Sequence, residues 1–109
     1  MNSVKNSITL IGNLGKDPET KTLDEDRTVT RFPMATNEKY RNKKGDLTES
    51  TQWHTIVAWG KMAENMGKLL KKGKGVAIRG RLVYSSYEDK DGITRYNSEI
   101  VAEDFALLG

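Results

Sequence analysis

Four aromatic side chains and a basic stretch beside one of them are the groups in this chain best suited to chemistry: Trp53, Trp59, Tyr40 and Tyr87. Trp53, Thr55, Val57 and Trp59 share one parity in a run that reads as a β-strand, so they project from one face. His54, Ile56 and Ala58 project from the other, which is small or aliphatic and suits a core. Tyr40 lies inside Lys39-Tyr40-Arg41-Asn42-Lys43-Lys44, a run without an acid. Flat rings interleaved with cations fit an unpaired nucleic acid. Bases stack on rings at about 1–3 kcal/mol each, and phosphates meet Lys and Arg. A core role for both indoles fits the same pattern equally well, because tryptophan is highly buried on average.

Catalytic constellations fail one by one. The only histidine, His54, falls on the inward face, where a lone imidazole is a packed or interface group, and nothing completes a triad with it. Gly75 to Gly80 has P-loop spacing, but Arg81-Leu82 follows where Lys-Ser/Thr is needed, and the segment reads as a strand. Asp89, Asp91 and Gly92 suggest a calcium loop, but Tyr87 and Ser98 occupy its first and last ligand positions. A solvated hairpin tip explains these acids. With no cysteine, disulfides and thiolate metal sites are excluded. No enzymatic activity, cofactor or metal is expected.

The elements that must position the rings belong to a single domain spanning residues 1–109, large enough for one modest core. A hydrophobic share of 36% and a charged share of 30% fit a soluble globular chain. No apolar run approaches the roughly 20 residues of a membrane span. Met1-Asn2-Ser3-Val4-Lys5 lacks a signal-peptide layout, so the cytoplasm is the expected compartment. The net charge of +3 leans towards polyanions.

Ser7 to Leu14 reads as a first strand, apolar on both sides through Ile8, Leu10 and Ile11, and ended by Gly15 and Pro18. Leu23 to Arg27 reads as a polar connection. Thr28 to Glu38 is a second strand whose Pro33 calls for an edge position or a bulge. Lys39 to Lys44 and Gly45-Asp46 form an exposed hairpin tip before strand three, Thr51 to Trp59. Lys61 to Leu70 switches to helical spacing, with Met62, Met66, Leu69 and Leu70 on one stripe that plugs a small barrel. Glu64 and Lys68 form an i,i+4 pair, and Gly73 serves as C-cap. Strand four runs from Val76 to about Tyr87, turns at Asp91-Gly92, and strand five runs from Ile93 to about Ala102. Glu103 to Gly109 is a short end. This order is an all-β, five-stranded Greek-key barrel of the OB-fold type, with one helix between strands three and four.

Three stretches then carry a resemblance to the bacterial single-stranded DNA-binding proteins. They are Ile8-Thr9-Leu10-Ile11-Gly12-Asn13-Leu14-Gly15-Lys16-Asp17-Pro18-Glu19, Met34-Ala35-Thr36-Asn37-Glu38, and Gln52-Trp53-His54-Thr55-Ile56-Val57-Ala58-Trp59-Gly60-Lys61-Met62-Ala63-Glu64. A weaker fourth runs from Leu70-Lys71-Lys72-Gly73 through Gly80-Arg81-Leu82, and the whole resemblance spans about Ser3 to Val101.

The resemblance implies sequence-independent binding and protection of single-stranded DNA during replication, recombination and repair. It places base stacking on Tyr40, Trp53, Trp59 and Tyr87, and phosphate binding on Arg41, Lys43, Lys44, Lys61 and Lys72. Val83 and Ser85 stand where relatives often carry basic residues. It further implies a homotetramer, a dimer of dimers paired through first strands, with Ile8, Leu10 and His54 at subunit interfaces, in a cytoplasmic, nucleoid-associated setting. Relatives usually continue into a glycine-rich linker and an acidic tip. The sequence ends at Gly109 with neither, so partners recruited through such a tail are not expected of these residues. An RNA-binding OB domain and a structural OB subunit that docks a protein are the alternatives.

Overall fold

In the computed structural model, residues 4–25 and 27–108 are described. Met1, Asn2 and Ser3 of the segment read for a signal, Asp26 of the expected connection, and Gly109 lie outside the described residues. A 3-10 turn at Val4–Asn6 precedes β1 (Ile8–Leu14), β2 (Glu19–Asp24), β3 (Arg27–Arg41), β4 (Leu47–Trp59), α1 (Gly60–Leu69), β5 (Gly75–Glu88) and β6 (Thr94–Leu107). The sheet order is β1-β5-β6-β4-β3-β2, and a β1–β3 pairing at Asn13↔Ala35 and Leu14↔Met34 closes five of the strands into the expected barrel.

The core fills this barrel. Phe32, Met34, Ile56, Met66, Val76 and Ile78 are buried, each contributing about 1.5–3 kcal/mol of transfer free energy. The helix plugs one end through Ala63 and Met66, and Leu70 caps it. Leu69, expected on that stripe, is 52% exposed, because α1 turns Met62, Ala63 and Met66 inward and ends there. Gly73 does not cap the helix. It sits beyond the Leu70 cap at φ 88, and its N–H donates to Leu14 O at 2.9 Å. Glu64 and Lys68 are not among the ion pairs of the described residues.

Apart from β3 and β4, which run on to Arg41 and start from Leu47 and so take in part of the expected tip, two departures from the sequence reading concern strands. Glu19–Asp24 forms an additional strand on the free edge of β3, where a polar connection was expected only from Leu23. The other is β6, which continues past Ala102 to Leu107 through a register shift opposite Arg79 and Gly80. Pro33, expected at an edge or a bulge, is at neither: β3 is an interior strand paired without a bulge to β4, and Pro33 faces a local gap on its other side. It lies between the part of β3 paired with β2 and the part paired with β1, so its missing N–H costs no ladder bond, and its carbonyl accepts from Gly15 N at 2.9 Å.

Beyond the barrel, the β3–β4 and β5–β6 hairpins run on as two long arms. The first is paired out to Arg41↔Leu47 and the second to Glu88↔Thr94. They part early, because β4 and β6 meet only at Ile56↔Ile100 and Val57↔Val101.

Candidate nucleic-acid interface

The parity read around Trp53 holds in three dimensions. Ile56 and Ala58 are fully buried and His54 is half-buried, whereas Trp53 and Trp59 are 63% and 47% exposed. Val57 is the exception on the outer face. It is buried although its neighbours Thr55 and Trp59 are exposed. The two indoles stand six residues apart on β4, about 20 Å at the usual strand rise.

The two rings differ in their surroundings. The Trp53 indole lies against Gly15, where an added Cβ would stand 2.4 Å from Cζ3. Leu14 and Asp17 tie the same loop to the turn that carries Lys72. Gly73 N–H donates to Leu14 O at 2.9 Å, and Lys72 N–H donates to Asp17 Oδ1 at 2.8 Å. Trp59 is the extended residue that starts α1, at φ −124. The next turn reads Gly60-Lys61-Met62-Ala63, so the positive end of the helix dipole and the exposed Lys61 both lie beside this indole.

Tyr40 and Tyr87, each 51% exposed, sit on the two arms. Tyr87, opposite Arg95 on β6, shares its parity with Arg81, whose partner Val101 pairs with Val57. It therefore belongs to the face of Trp53 and Trp59. Tyr40 pairs with Thr48 and alternates to the opposite face. A polymer touching all four rings must turn around the β3–β4 arm rather than cross one flat flank.

Past Tyr40, Asn42 builds the tip. Its Oδ1 accepts from Lys44 N at 2.9 Å and from Asp46 N at 3.1 Å, and Gly45 takes φ 84. Arg41 is partly engaged here, donating from Nη1 to Gly45 O at 2.9 Å, while Lys43 and Lys44 are exposed. At the other tip, Asp89 Oδ1 accepts from Asp91 N at 2.9 Å and Ile93 N at 3.0 Å, and Arg95 Nε donates to Oδ2 at 2.8 Å. These bonds, with the Arg95 one the strongest, hold the Asp89 carboxyl below its ordinary pKa. The acids that suggested a calcium loop thus build a turn.

Where the arms part, a groove of about 300 Å³ opens, lined by Trp53, His54, Thr55, Leu82, Tyr96 and Ser98 among others. The His54 imidazole shares a 2.9 Å hydrogen bond with Thr36 Oγ1. Ile8 and Leu10, assigned to an interface from sequence, lean their side chains on the barrel core, whereas Ile11 is 62% exposed.

Sequence reasoning passed over three groups on this surface. Gly15 is legible as a strand end and as part of a family stretch, not as the residue against which Trp53 lies. Tyr96 is 78% exposed and reaches the groove from the face opposite Trp53, a placement that depends on the β5–β6 register. Arg31 is out of phase with buried Phe32 and Met34, a signal that would have placed it outside.

This chain matches the model of the single-strand binding protein family over residues 5–108. The chain belongs to the single-strand binding protein family. Among the family's curated members, it is 45% identical over 105 residues to single-stranded DNA-binding protein 1 of Chlorobaculum tepidum, covering 95% of this chain and 65% of that one. It is 38% identical over 104 residues to the single-stranded DNA-binding protein of Xanthomonas campestris pv. campestris, covering 95% and 60%. The chain thus spans about 60–65% of the length of these curated relatives. Among solved structures it is similar to a Plasmodium falciparum SSB in complex with ssDNA, with a TM-score of 0.88, 31% identity and full coverage of both chains. A deletion mutant of the single-stranded DNA binding protein from Thermus aquaticus superposes with a TM-score of 0.83 at 27% identity, over 95% of this chain and 50% of that one.

Proposed function

We propose that this protein is a non-catalytic, sequence-independent binder of single-stranded DNA serving replication, recombination and repair. The observation that carries this reading is the pair of exposed, oriented indoles on the outer face of β4, in a family whose relatives carry that name. Trp53, Trp59, Tyr40 and Tyr87 stack bases. Arg41, Lys43, Lys44, Lys61 and Lys72 neutralise phosphates. Stacking is indifferent to base identity, and a duplex hides its bases from the rings, so single strands are preferred.

The reading extends to assembly. The edge of β1 from Ile8 to Ile11 that faces away from β5 has no strand beside it among the described residues. Such an edge takes a second copy of itself. A homotetramer built as a dimer of dimers uses this edge, and exposed Ile11 supports it. His54 then acts structurally near a subunit boundary, and the protein works in the cytoplasm at the nucleoid.

The test is a binding series with labelled oligo-dT, the matched RNA oligomer and a duplex of equal length, with the mass of each complex measured. Tight binding to oligo-dT, weak binding to duplex and a mass of four chains support the proposal. Preference for RNA, or no nucleic-acid binding at all, contradicts it.

A further inference from the structure

Arg31 and Glu99 form an ion pair that crosses the middle of the proposed binding face. Arg31 lies opposite Val57 across β3 and β4, and Val57 lies opposite Val101 across β4 and β6. Glu99, two residues before Val101, shares its outward parity. The guanidinium on β3 and the carboxylate on β6 therefore meet over β4, between Trp53 and Trp59. Val57, the β4 residue paired with Arg31 on one side and Val101 on the other, is buried on an otherwise exposed face. The Arg31 side chain is still 49% exposed, while Glu99 is only 21% exposed. Arg31 also lines a groove of about 210 Å³ of mixed charge, with Lys16, Asp17, Glu19, Pro33 and Thr55, beside the path from one indole to the other.

A strand stacked on both indoles must carry its phosphates across this bridge. A carboxylate there repels them, and a guanidinium attracts them. With its guanidinium half-exposed, this ion pair is screened by solvent and holds only modestly. A phosphate offers the same planar fork a charge-assisted, bidentate partner. We propose that Arg31 is a phosphate contact on the path between the indoles, and that Glu99 is its built-in competitor. In the free protein the carboxylate holds the guanidinium in place and neutralised. A bound strand takes the guanidinium over, and Glu99 reclaims it when the strand leaves. Affinity is thereby set below what the cations alone would give, which favours release and exchange of the strand. The proposal rests on the single-strand reading above and adds a residue pair that reading does not contain.

The experiment titrates the chain and its R31Q, E99Q and R31Q/E99Q variants with oligo-dT over a series of salt concentrations, with circular dichroism melts to establish folding. E99Q is expected to bind about two- to fivefold tighter, the range an exposed ion pair supports, with the salt slope kept. R31Q is expected to bind about two- to fivefold weaker, with the log–log slope shallower by about 0.7, one single-strand phosphate. The double variant recovers part of that loss. Should R31Q lose the fold, the sign of the E99Q effect alone decides. If E99Q binds no tighter than the parent, or both single variants weaken binding alike with the slope intact, the pair is a structural tie and the proposal fails while the single-strand reading stands. If the parent chain itself does not bind oligo-dT, both fail.

Discussion

The Trp53 indole rests on the backbone of Gly15: a Cβ placed there would stand 2.4 Å from Cζ3 and 2.8 Å from Cη2 of the ring. An exposed ring is thus given one orientation by a loop residue far from it in sequence. Gly15→Ala must push the indole off its seat. The ring has solvent on its other side, so stability should change by less than about 0.5 kcal/mol, as for most surface substitutions. Oligo-dT affinity should fall by part of one stacked base, within about 1–3 kcal/mol. Paired thermal melts and binding isotherms check this. A large loss of stability with binding intact would show that the seat serves folding instead.

Trp53→Ala removes the platform itself. With 63% of the residue exposed, the fold should be kept and affinity should drop by about 1–3 kcal/mol. Trp59→Ala should cost a similar amount of affinity and somewhat more stability, since that indole is 47% exposed and begins α1. Melting curves and titrations of the two variants separate these effects.

The cations of the β3–β4 tip are not equivalent. Lys44→Gln should make the log–log salt slope shallower by about 0.7, with no change in melting. Arg41→Gln should additionally loosen the tip, because its guanidinium donates to Gly45 O at 2.9 Å. Amide hydrogen exchange at Gly45 and Asp46 should therefore quicken in the Arg41 variant and stay as it was in the Lys44 variant.

The other hairpin tip carries a pH dependence. The carboxyl of Asp89 is held below its ordinary pKa, first by the Arg95 side chain and then by the Ile93 amide. A group depressed in the folded state contributes stability above its unfolded pKa, and that contribution is lost as pH falls through the lowered folded value. The β5–β6 turn should thus be ordered at neutral pH and loosen in acid. Asp89→Asn should loosen it at neutral pH and abolish that acid dependence. Amide chemical shifts of Asp91 and Ile93 followed through an acid titration report on it.

Much of this architecture is written locally. Alternation at His54, Ile56 and Ala58 announces which face of β4 is inside, and the change from period two to helical spacing after Gly60 announces α1. β2 escapes such reading because Glu19 to Asp24 buries none of its residues and so carries no apolar alternation. Strand β6 beyond Ala102 escapes because its pairing depends on a register shift opposite Gly80, where a Cβ would stand 2.2 Å from Val101 O. Tyr40 is legible as an exposed ring, but its turn to the opposite face of the arm follows from the Thr48 register. The Gly15 seat and the Arg31–Glu99 bridge join residues whose proximity depends on barrel closure and on the short parallel contact of β4 with β6. No spacing along the chain encodes either.

Stacking of unpaired bases on the exposed indoles of β4 can be read without any label from the intrinsic fluorescence of Trp53 and Trp59. Titration with oligo-dT should quench that emission strongly and saturably, with the quenching reversed by salt. Emission unchanged by a large excess of oligo-dT would mean that neither indole stacks a base.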